Sequence, residues 1–299
     1  MRHLLRTTMR TIDRLFQAQL KANRSNLESH FEADLIGYYG EISSAYLPWF
    51  RQRIEVIGND GAARKERLIT ILNTPGGEVE AVERMVEMQR HFYKEVYFVV
   101  PNMAMSAGTI FCMSGDKIFM DYSSSLGPID PQVQSKDGKW VPALGYLDKF
   151  EEILQKSRAN TLTSVEFSIA QNQDLAELRR YEQARDLSVS LLKTWLIEYK
   201  FRSWDVHRSD TEKKGQPVTQ PEKEQRAADI AQMLGSNREW HSHGRRIGIN
   251  TLRSKLRLEI EDYSADADLR NKINEYHDLI SDYMNRQNYT MFIDVSNDK

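Results

Sequence analysis

Leu68-Ile-Thr-Ile-Leu-Asn-Thr-Pro-Gly-Gly77 is the stretch that decides the fold of this 299-residue chain. Its nearly continuous apolar run predicts a strand buried on both faces, and the Pro-Gly-Gly turn ends that strand. From Glu78 to Phe92, apolar residues recur at helical spacing between charged ones, which is typical of a crossover helix between parallel strands. The next apolar run, Val96–Val100, supplies the second strand. The stretch therefore predicts an α/β fold with a parallel sheet.

The second strand leads into Pro101-Asn-Met-Ala-Met-Ser106-Ala-Gly-Thr109, where a new helix is predicted to begin. A serine at a helix N-terminus is surrounded by amide groups that stabilise an oxyanion, and the amide of Ala107 is one of them. The turn Pro75-Gly76-Gly77 can supply others, because glycine accepts positive φ and lets a substrate carbonyl approach closely. A serine with such donors indicates acyl transfer, with Ser106 as the nucleophile.

Both features also have a simpler interpretation. The glycine turn can serve only to reverse the chain, and Ser106 can serve only as a helix N-cap. Their combination favours chemistry, because both lie at the carboxyl ends of adjacent predicted parallel strands, where ligand sites of α/β sheets form. We therefore interpret the chain as a serine hydrolase, and first of all as a peptidase.

Composition excludes several other classes of protein. The net charge of −2 gives no basic field for nucleic acid, and the single Cys112 permits neither an internal disulfide nor a multi-cysteine zinc site. The sequence contains no run of 18 consecutive apolar residues, so no membrane-spanning helix is predicted. Arginines interrupt the N-terminus where a signal peptide needs an apolar core. We therefore expect a cytoplasmic protein.

Motifs for cofactors and metals are missing from the sequence. There is no P-loop, no Gly-x-Gly-x-x-Gly and no His-Glu-x-x-His. His241 and His243 are two residues apart, but no carboxylate of clear purpose accompanies them, so we expect neither a metal nor a cofactor.

Three segments together resemble the Clp-fold serine proteinases: Asn73-Thr-Pro-Gly-Gly77, Met103-Ala-Met-Ser-Ala-Gly-Thr109 and Ser125-Leu-Gly-Pro-Ile-Asp-Pro-Gln132. The sequence is most similar to the serine dehydrogenase proteinase family, which is related to signal peptide peptidase A, the archaeal membrane serine peptidases and the Clp protease proteolytic subunit. The resemblance implies a Clp/crotonase-like spiral of ββα units that forms homo-oligomers. It also implies Ser106 as nucleophile and an oxyanion hole formed by Gly77 and Ala107. Gly76, Met105 and Asp130 become candidate substrate contacts.

The resemblance leaves the general base open. Where the Clp subunit has its catalytic histidine, the loop Gly127-Pro-Ile-Asp-Pro-Gln132 offers Asp130 and no histidine. The archaeal membrane peptidases and signal peptide peptidase A resemble this chain and use a Ser-Lys dyad, which favours a lysine. We expect Lys149, with its pKa depressed by partial burial on an apolar helix face. A surface role for Lys149 is the alternative, and the rival bases are Lys117, Lys136, Lys139, Lys156 and His243.

The expected organisation has four segments. They are an N-terminal amphipathic helix (1–30), the proteinase core (31–201), a polar loop or linker (202–226) and a C-terminal helical extension (227–299). Residues 1–24 are basic and amphipathic, so they can lie on a membrane surface, although packing on protein is the interpretation that we favour.

Two other functions stay open from the sequence. The same fold could be an inactive peptide-binding or assembly protein, in which Ser106 only caps a helix. It could also perform crotonase-type chemistry on an acyl-coenzyme A, which uses the same oxyanion geometry. The expected partner of a peptidase is a peptide or unfolded protein substrate.

Overall fold

A computed structural model describes residues 10–134, 140–208 and 212–296. Its centre is a sheet in which all neighbouring strands are parallel except at one edge. There the edge strand, Met291–Val295, pairs antiparallel with Asp34–Gly40. The strands in spatial order are β10 (Met291–Val295), β1 (Asp34–Gly40), β2 (Arg67–Asn73), β3 (Glu95–Val99), β5 (Lys117–Met120) and β9 (Glu261–Asp262). The structure thus confirms the α/β class and the parallel sheet that the sequence predicted.

A second, two-stranded parallel sheet lies beyond the carboxyl ends of these strands. It pairs β4 (Met103–Ala104) with β6 (Ser125–Leu126). β3, β4 and the helix α4 (Ala107–Met113) follow one another directly, in the ββα order expected for the fold. A hairpin of β7 (Gln132–Gln134) and β8 (Trp140–Pro142) comes next in the chain.

Helices cover both faces of the main sheet and both ends of the chain. The helices before the β7–β8 hairpin are α1 (Thr11–Phe31), α2 (Leu47–Gly58), α3 (Val79–Phe92) and α4. After it come α5 (Ala143–Arg158), α6 (Ser164–Gln171), α7 (Leu175–Trp195), α8 (Gln220–Leu234), α9 (Asn237–Trp240), α10 (Ile249–Ser254) and α11 (Ala267–Gln287). A π-helical turn, Leu196–Lys200, ends α7.

The core consists of two apolar layers, one on each face of the sheet. Ile36 and Tyr38 of β1 point into the layer that contains α2, α3 and α4, whereas Leu35 and Tyr39 point into the layer that contains α1 and α11. Side chains of a strand alternate between faces, so a strand with both faces covered must be apolar throughout. This is why β1 and β2 appear in the sequence as continuous apolar runs.

The structure corrects the expected boundaries in the second half of the chain. Residues 202–226 are not loop throughout, since α8 begins at Gln220 behind the capping box of Thr219 and Glu222. The segment 227–299 is not only a helical extension, because it supplies β9 and β10 at the two edges of the main sheet. Strands of two and five residues carry too little periodicity to be recognised locally, and pairing with distant strands stabilises them.

The described part of the N-terminal segment packs on the protein. Phe16 stacks on Tyr283 of α11 with ring centroids 3.6 Å apart, and Leu20 is fully buried. Leu5 and Met9, on the same predicted face, lie outside the described residues. Within the described ranges, no helix has the length and apolar content needed to cross a bilayer.

Candidate active site

Ser106 lies at a strained turn between β4 and α4. Its φ of 52° and ψ of −116° are values that a non-glycine residue rarely adopts, at a cost on the order of 1–3 kcal/mol. By position Ser106 is the N-cap of α4, yet its side chain caps no helix amide. Its hydroxyl has no hydrogen-bond partner in the part of the chain that the structure describes. The interpretation of Ser106 as a mere helix cap is therefore wrong.

Gly76 lies directly against the Ser106 turn. Its φ is +113°, and a Cβ placed on Gly76 would stand 2.9 Å from the Cβ of Ser106 and 2.9 Å from the carbonyl oxygen of Met105. Only a glycine allows the two turns to approach so closely. The structure thus brings together the two motifs that the sequence placed at neighbouring strand ends.

Gly77 is exposed, and its amide points away from the segment that contains Ile42. It forms a parallel bridge with Ile42, in which the Ile42 amide donates to Gly76 O at 2.8 Å and the Glu78 amide donates to Ile42 O at 2.9 Å. In such a bridge the amide of the central residue points away from the partner strand. A Cβ on Gly77 would stand 1.9 Å from Ile42 O, so no larger residue fits.

The amides of Gly77 and Ala107 are both available as donors. Neither donates a hydrogen bond to any described residue. Ala107 begins α4, and the first amides of a helix have no partner within the helix. Both residues flank the contact between Gly76 and Ser106.

The carboxylate of Glu78, next to Gly77, is held by a neighbouring loop. The hydroxyls of Ser43 and Ser44 and the amide of Ser44 donate to it. The hydrogen bond from the Ser44 side chain is the main cause that lowers the pKa of Glu78. These hydrogen bonds hold the Glu78 carboxylate against the loop that also contains Ile42.

Two threonines that the sequence did not single out join the turns. The Thr74 amide donates to Met103 O at 2.9 Å, and the Met105 amide donates to Thr74 O at 3.1 Å. The Thr109 hydroxyl accepts from the Gly127 amide at 2.9 Å and lies 2.9 Å from two carbonyl oxygens, those of Ala104 and Gly127. These bonds fix the geometry around Ser106. Their sequence signal is weak, because a buried threonine resembles any other small core residue.

Asp130 and His243 form a pair beside this site. Asp130 is 1% exposed, and its Oδ1 lies 2.9 Å from Nδ1 of His243. Its Oδ2 accepts from the Gln132 side-chain amide at 3.2 Å. We expected Asp130 to contact substrate, but both of its oxygens contact other residues of the chain. His243, a rival base in the sequence, is brought from the C-terminal part to the very loop that lacks a histidine.

Lys149 is placed differently from what we expected. It lies on α5, its side chain is 62% exposed, and its Nζ forms an ion pair with Glu152 at 2.9 Å. The hydrogen bond from Glu152 raises the pKa of Lys149. The expected depression of that pKa is therefore wrong for this chain, because the hydrogen bond and the charge of Glu152 outweigh the opposing effect of burial. With Tyr146 and Phe150, Lys149 lines an apolar groove of about 460 Å³.

The other candidate residues have structural surroundings. Met105 is partly exposed, and its side chain packs over Gly127, where an added Cβ would stand 2.6 Å from Met105 Cε. Lys117 forms an ion pair with Glu261 and Lys156 with Glu166, whereas Lys136 and Lys139 lie outside the described residues. Across the described ranges, no three His, Cys, Asp or Glu side chains are grouped as metal ligands would be.

Comparison with known families identifies the segment that carries the site. Residues 60–198, a little under half of the chain, match the family described as ClpP-like SDH-type serine proteinase. The match includes Gly77, Ser106, Asp130 and Lys149, and ends before His243. It confirms the resemblance that the three sequence segments indicated.

Curated relatives and solved structures are similar to parts of the chain. Over 80 residues it is 39% identical to the uncharacterized protein MJ0137 of Methanocaldococcus jannaschii, covering 26% of this chain and 28% of that protein. Over 138 residues it is 28% identical to the uncharacterized protein MJ1495 of the same organism, covering 43% and 46%. The chain thus spans less than half the length of these relatives.

Two solved structures are of the 1510-N membrane-bound stomatin-specific protease. The chain aligns with a serine-to-alanine mutant at a TM-score of 0.45 and 15% identity, covering 80% of this chain and 81% of the other. It aligns with a lysine-to-alanine mutant in complex with a substrate peptide at a TM-score of 0.42 and 16% identity, covering 76% and 72%.

Proposed function

We propose that this chain is a serine peptidase with Ser106 as its nucleophile, because its residues 60–198 match the ClpP-like SDH-type serine proteinases. In this proposal the amides of Gly77 and Ala107 bind the carbonyl oxygen of the scissile peptide bond. No cofactor takes part, and the substrate is a peptide or an unfolded segment of protein.

The observation that carries this proposal is the conformation of Ser106. A serine that merely began a helix would have extended φ and ψ and would bond an amide of the first turn. Ser106 instead has a positive φ, its hydroxyl caps nothing, and Gly76 is packed against it. Backbone strain of this kind persists where the surroundings enforce it, and it is concentrated at sites of chemistry. A strained turn from strand to helix is also how other serine hydrolases expose their nucleophile.

The arrangement supports acyl transfer in the following way. Ser106 Oγ attacks the peptide carbonyl carbon while its proton passes to a base, and the carbonyl oxygen becomes an oxyanion. Unbonded amides at Gly77 and Ala107 stabilise this charge without reorganising, and one such donor contributes roughly 3 kcal/mol to the lowering of the barrier. Expulsion of the amine leaves an acyl-enzyme, which water then hydrolyses.

The Ser-Lys dyad expected from the sequence has less support. A lysine acts as a base only in its neutral form, and the ion pair with Glu152 favours the charged form of Lys149. Lys149→Met therefore serves as a test of that assignment rather than as part of the proposed machinery.

The test is labelling by a fluorophosphonate probe followed by cleavage of a peptide library. We expect the wild-type protein to be labelled and Ser106→Ala to remain unlabelled. Ser168→Ala, which removes an exposed serine of α6, is the matched control and should be labelled at the wild-type rate. Peptide cleavage lost only in Ser106→Ala would support a peptidase.

Other outcomes separate the alternatives. If the folded wild-type protein is not labelled while a known serine peptidase is labelled beside it, the protein has no activated serine and the proposal fails in favour of a peptide-binding role. If Ser106 is labelled, no peptide is cut and an acyl-coenzyme A is turned over instead, the peptidase assignment is wrong and crotonase-type chemistry replaces it.

A further inference from the structure

We propose that His243 is the general base of this site and that Asp130 orients it, so that Ser106, His243 and Asp130 act together. This inference rests on the proposed function and deepens it. It assigns a catalytic residue that lies outside residues 60–198, the part of the chain that matches the family.

The path of the chain brings His243 to the site. Leu126 of β6 forms an antiparallel bridge with Ile247, and each of the two amides donates to the other residue's carbonyl, at 3.0 and 2.8 Å. Four residues after Leu126 is Asp130, and four residues before Ile247 is His243. The contact between Asp130 and His243 thus continues the pairing that Leu126 and Ile247 begin, so backbone structure as well as a side-chain contact holds the two segments together.

The same loop passes directly beside Ser106. A Cβ on Gly127 would stand 3.3 Å from the backbone nitrogen of Ser106, and the Thr109 hydroxyl fixes Gly127 in that place. Asp130 follows Gly127 by three residues, which span at most about 10 Å even when fully extended. The imidazole of His243 thus contacts, through Asp130, the same loop whose Gly127 lies against Ser106.

The contact with Asp130 determines which ring nitrogen of His243 carries the proton. A buried carboxylate only accepts hydrogen bonds, so the proton between the two groups is on Nδ1 of His243. In the neutral imidazole, Nε2 then carries the lone pair and can accept the serine proton. Asp130 is 1% exposed while the His243 side chain is 24% exposed, so the positioning group is buried and the base reaches the solvent side.

In the proposed reaction, His243 carries the proton between Ser106, the leaving amine and water. His243 Nε2 takes the proton from Ser106 Oγ as Oγ forms a bond to the carbonyl carbon, and the π electrons move to the oxygen. When the tetrahedral intermediate collapses, the carbon–nitrogen bond breaks and Nε2–H gives its proton to the leaving amine. Water repeats the sequence, and its proton passes through His243 back to Ser106 Oγ, which restores the enzyme.

The test measures the rate of fluorophosphonate labelling at Ser106 and the kinetics of peptide cleavage. We expect His243→Gln to lower both by about 100-fold or more. His241→Asn is the matched control, because His241 is an exposed neighbour with a φ of 62° that asparagine tolerates, and it should retain the wild-type rate. Added imidazole should restore part of the rate in His243→Ala.

Asp130 is tested as a positioning residue. Asp130→Asn should lower kcat by about 100-fold with little change in KM, and Asp130→Glu should recover part of that loss. In the wild-type protein, a proton shared between Nδ1 and a carboxylate should give a low-field NMR signal that disappears in Asp130→Asn and remains in Lys149→Met. This measurement holds even where a variant at position 243 does not fold.

The outcomes distinguish this inference from the proposed function. If Ser106→Ala is not labelled but folded His243→Gln is labelled at the wild-type rate, the serine peptidase stands and His243 is not its base. Loss of labelling in Lys149→Met with full labelling in His243→Gln would assign the base to Lys149 instead. If the wild-type protein itself is not labelled, both proposals are overturned.

Discussion

Gly76 and Ser106 are packed so closely that a single methyl group cannot be placed between them. A Cβ on Gly76 would lie 2.9 Å from the Cβ of Ser106 and equally close to the backbone oxygen of Met105. Gly76 follows β2 and Ser106 follows β4, so this contact joins the two segments on which the proposed oxyanion hole and nucleophile lie.

We expect Gly76→Ala to lower the labelling and cleavage rates by about 100-fold, because a displacement of about 1 Å is enough to misalign reacting groups to that degree. The methyl group must push away either the nucleophile or a backbone carbonyl, and alanine also resists the φ of +113°. Gly145→Ala in α5 is the control, since a Cβ there meets nothing within 4 Å. Equal rates in the two variants would mean that the contact does not matter for the chemistry.

Because the backbone at Ser106 is strained, we expect that relieving the strain raises stability while the activity is lost. Ser106→Gly should abolish labelling and raise the free energy of unfolding by about 1 kcal/mol, because glycine adopts a positive φ without strain. Ser106→Ala should abolish labelling and leave stability nearly unchanged, because the removed hydroxyl caps nothing. Urea unfolding of the two variants against the wild type measures the difference. A loss of about 1 kcal/mol in Ser106→Ala, the size expected when a capping side chain is removed, would contradict this prediction.

The part of the fold around Ser106 could be predicted from the sequence. The expected strands at 68–74 and 96–100 agree with β2 and β3 to within one residue at each end. Both are buried on two faces and bounded by proline and glycine, so local composition already specifies them. The approach of Gly76 to Ser106 follows from the same rule, since parallel strands bring their carboxyl ends to one edge.

The environment of the candidate base could not be predicted in this way. Asp130 and His243 are separated by more than a hundred residues, and the short bridge between Leu126 and Ile247 that aligns them leaves no periodic pattern. For Lys149 the sequence predicts the secondary structure but not the environment of the side chain. The sequence predicts its helix and the apolar residues beside it, but whether its ammonium is buried or paired with Glu152 depends on tertiary packing.

A buried ion pair joins the first helix to the last strand and predicts a large loss of stability when it is broken. Arg24 Nη1 lies 2.5 Å from Asp294 Oδ1, and the side chains are 5% and 3% exposed. Asp294 Oδ2 accepts from the Tyr276 hydroxyl at 2.8 Å. Arg24→Met should lower the free energy of unfolding by about 3–5 kcal/mol, because it removes the cation of a buried ion pair and keeps the carboxylate buried.

The control for this prediction is an ion pair on the surface. Arg84→Met removes the cation paired with Glu87, where both side chains are more than half exposed, and should cost at most about 1 kcal/mol. Arg24→Met combined with Asp294→Leu should cost less than the sum of the two single changes, since the pair is then removed together. Similar losses at Arg24 and Arg84 would show that burial of the first pair does not matter.

Lys200, in the π-helical turn after α7, predicts a dependence of stability on pH. Burial lowers the pKa of Lys200 to about 8, although the carboxylates of Glu259 and Glu261 act in the opposite direction. Between pH 8 and its ordinary value of 10.5 the folded protein therefore binds fewer protons at this site than the unfolded chain, so this contribution to stability rises with pH. The destabilisation caused by burying the charged Lys200 ammonium is fully present below pH 8 and disappears toward pH 10.5.

We accordingly expect Lys200→Met to be more stable than the wild type at pH 7, by at most about 3 kcal/mol, and to lose that advantage as the pH approaches 10.5. Urea unfolding of both proteins at pH 7, 8.5 and 10 measures this difference. Lys94→Met is the control, because Lys94 is exposed and its replacement relieves no burial of charge. A difference between Lys200→Met and the wild type that stays constant from pH 7 to pH 10 would show that the ammonium is not buried in the folded protein.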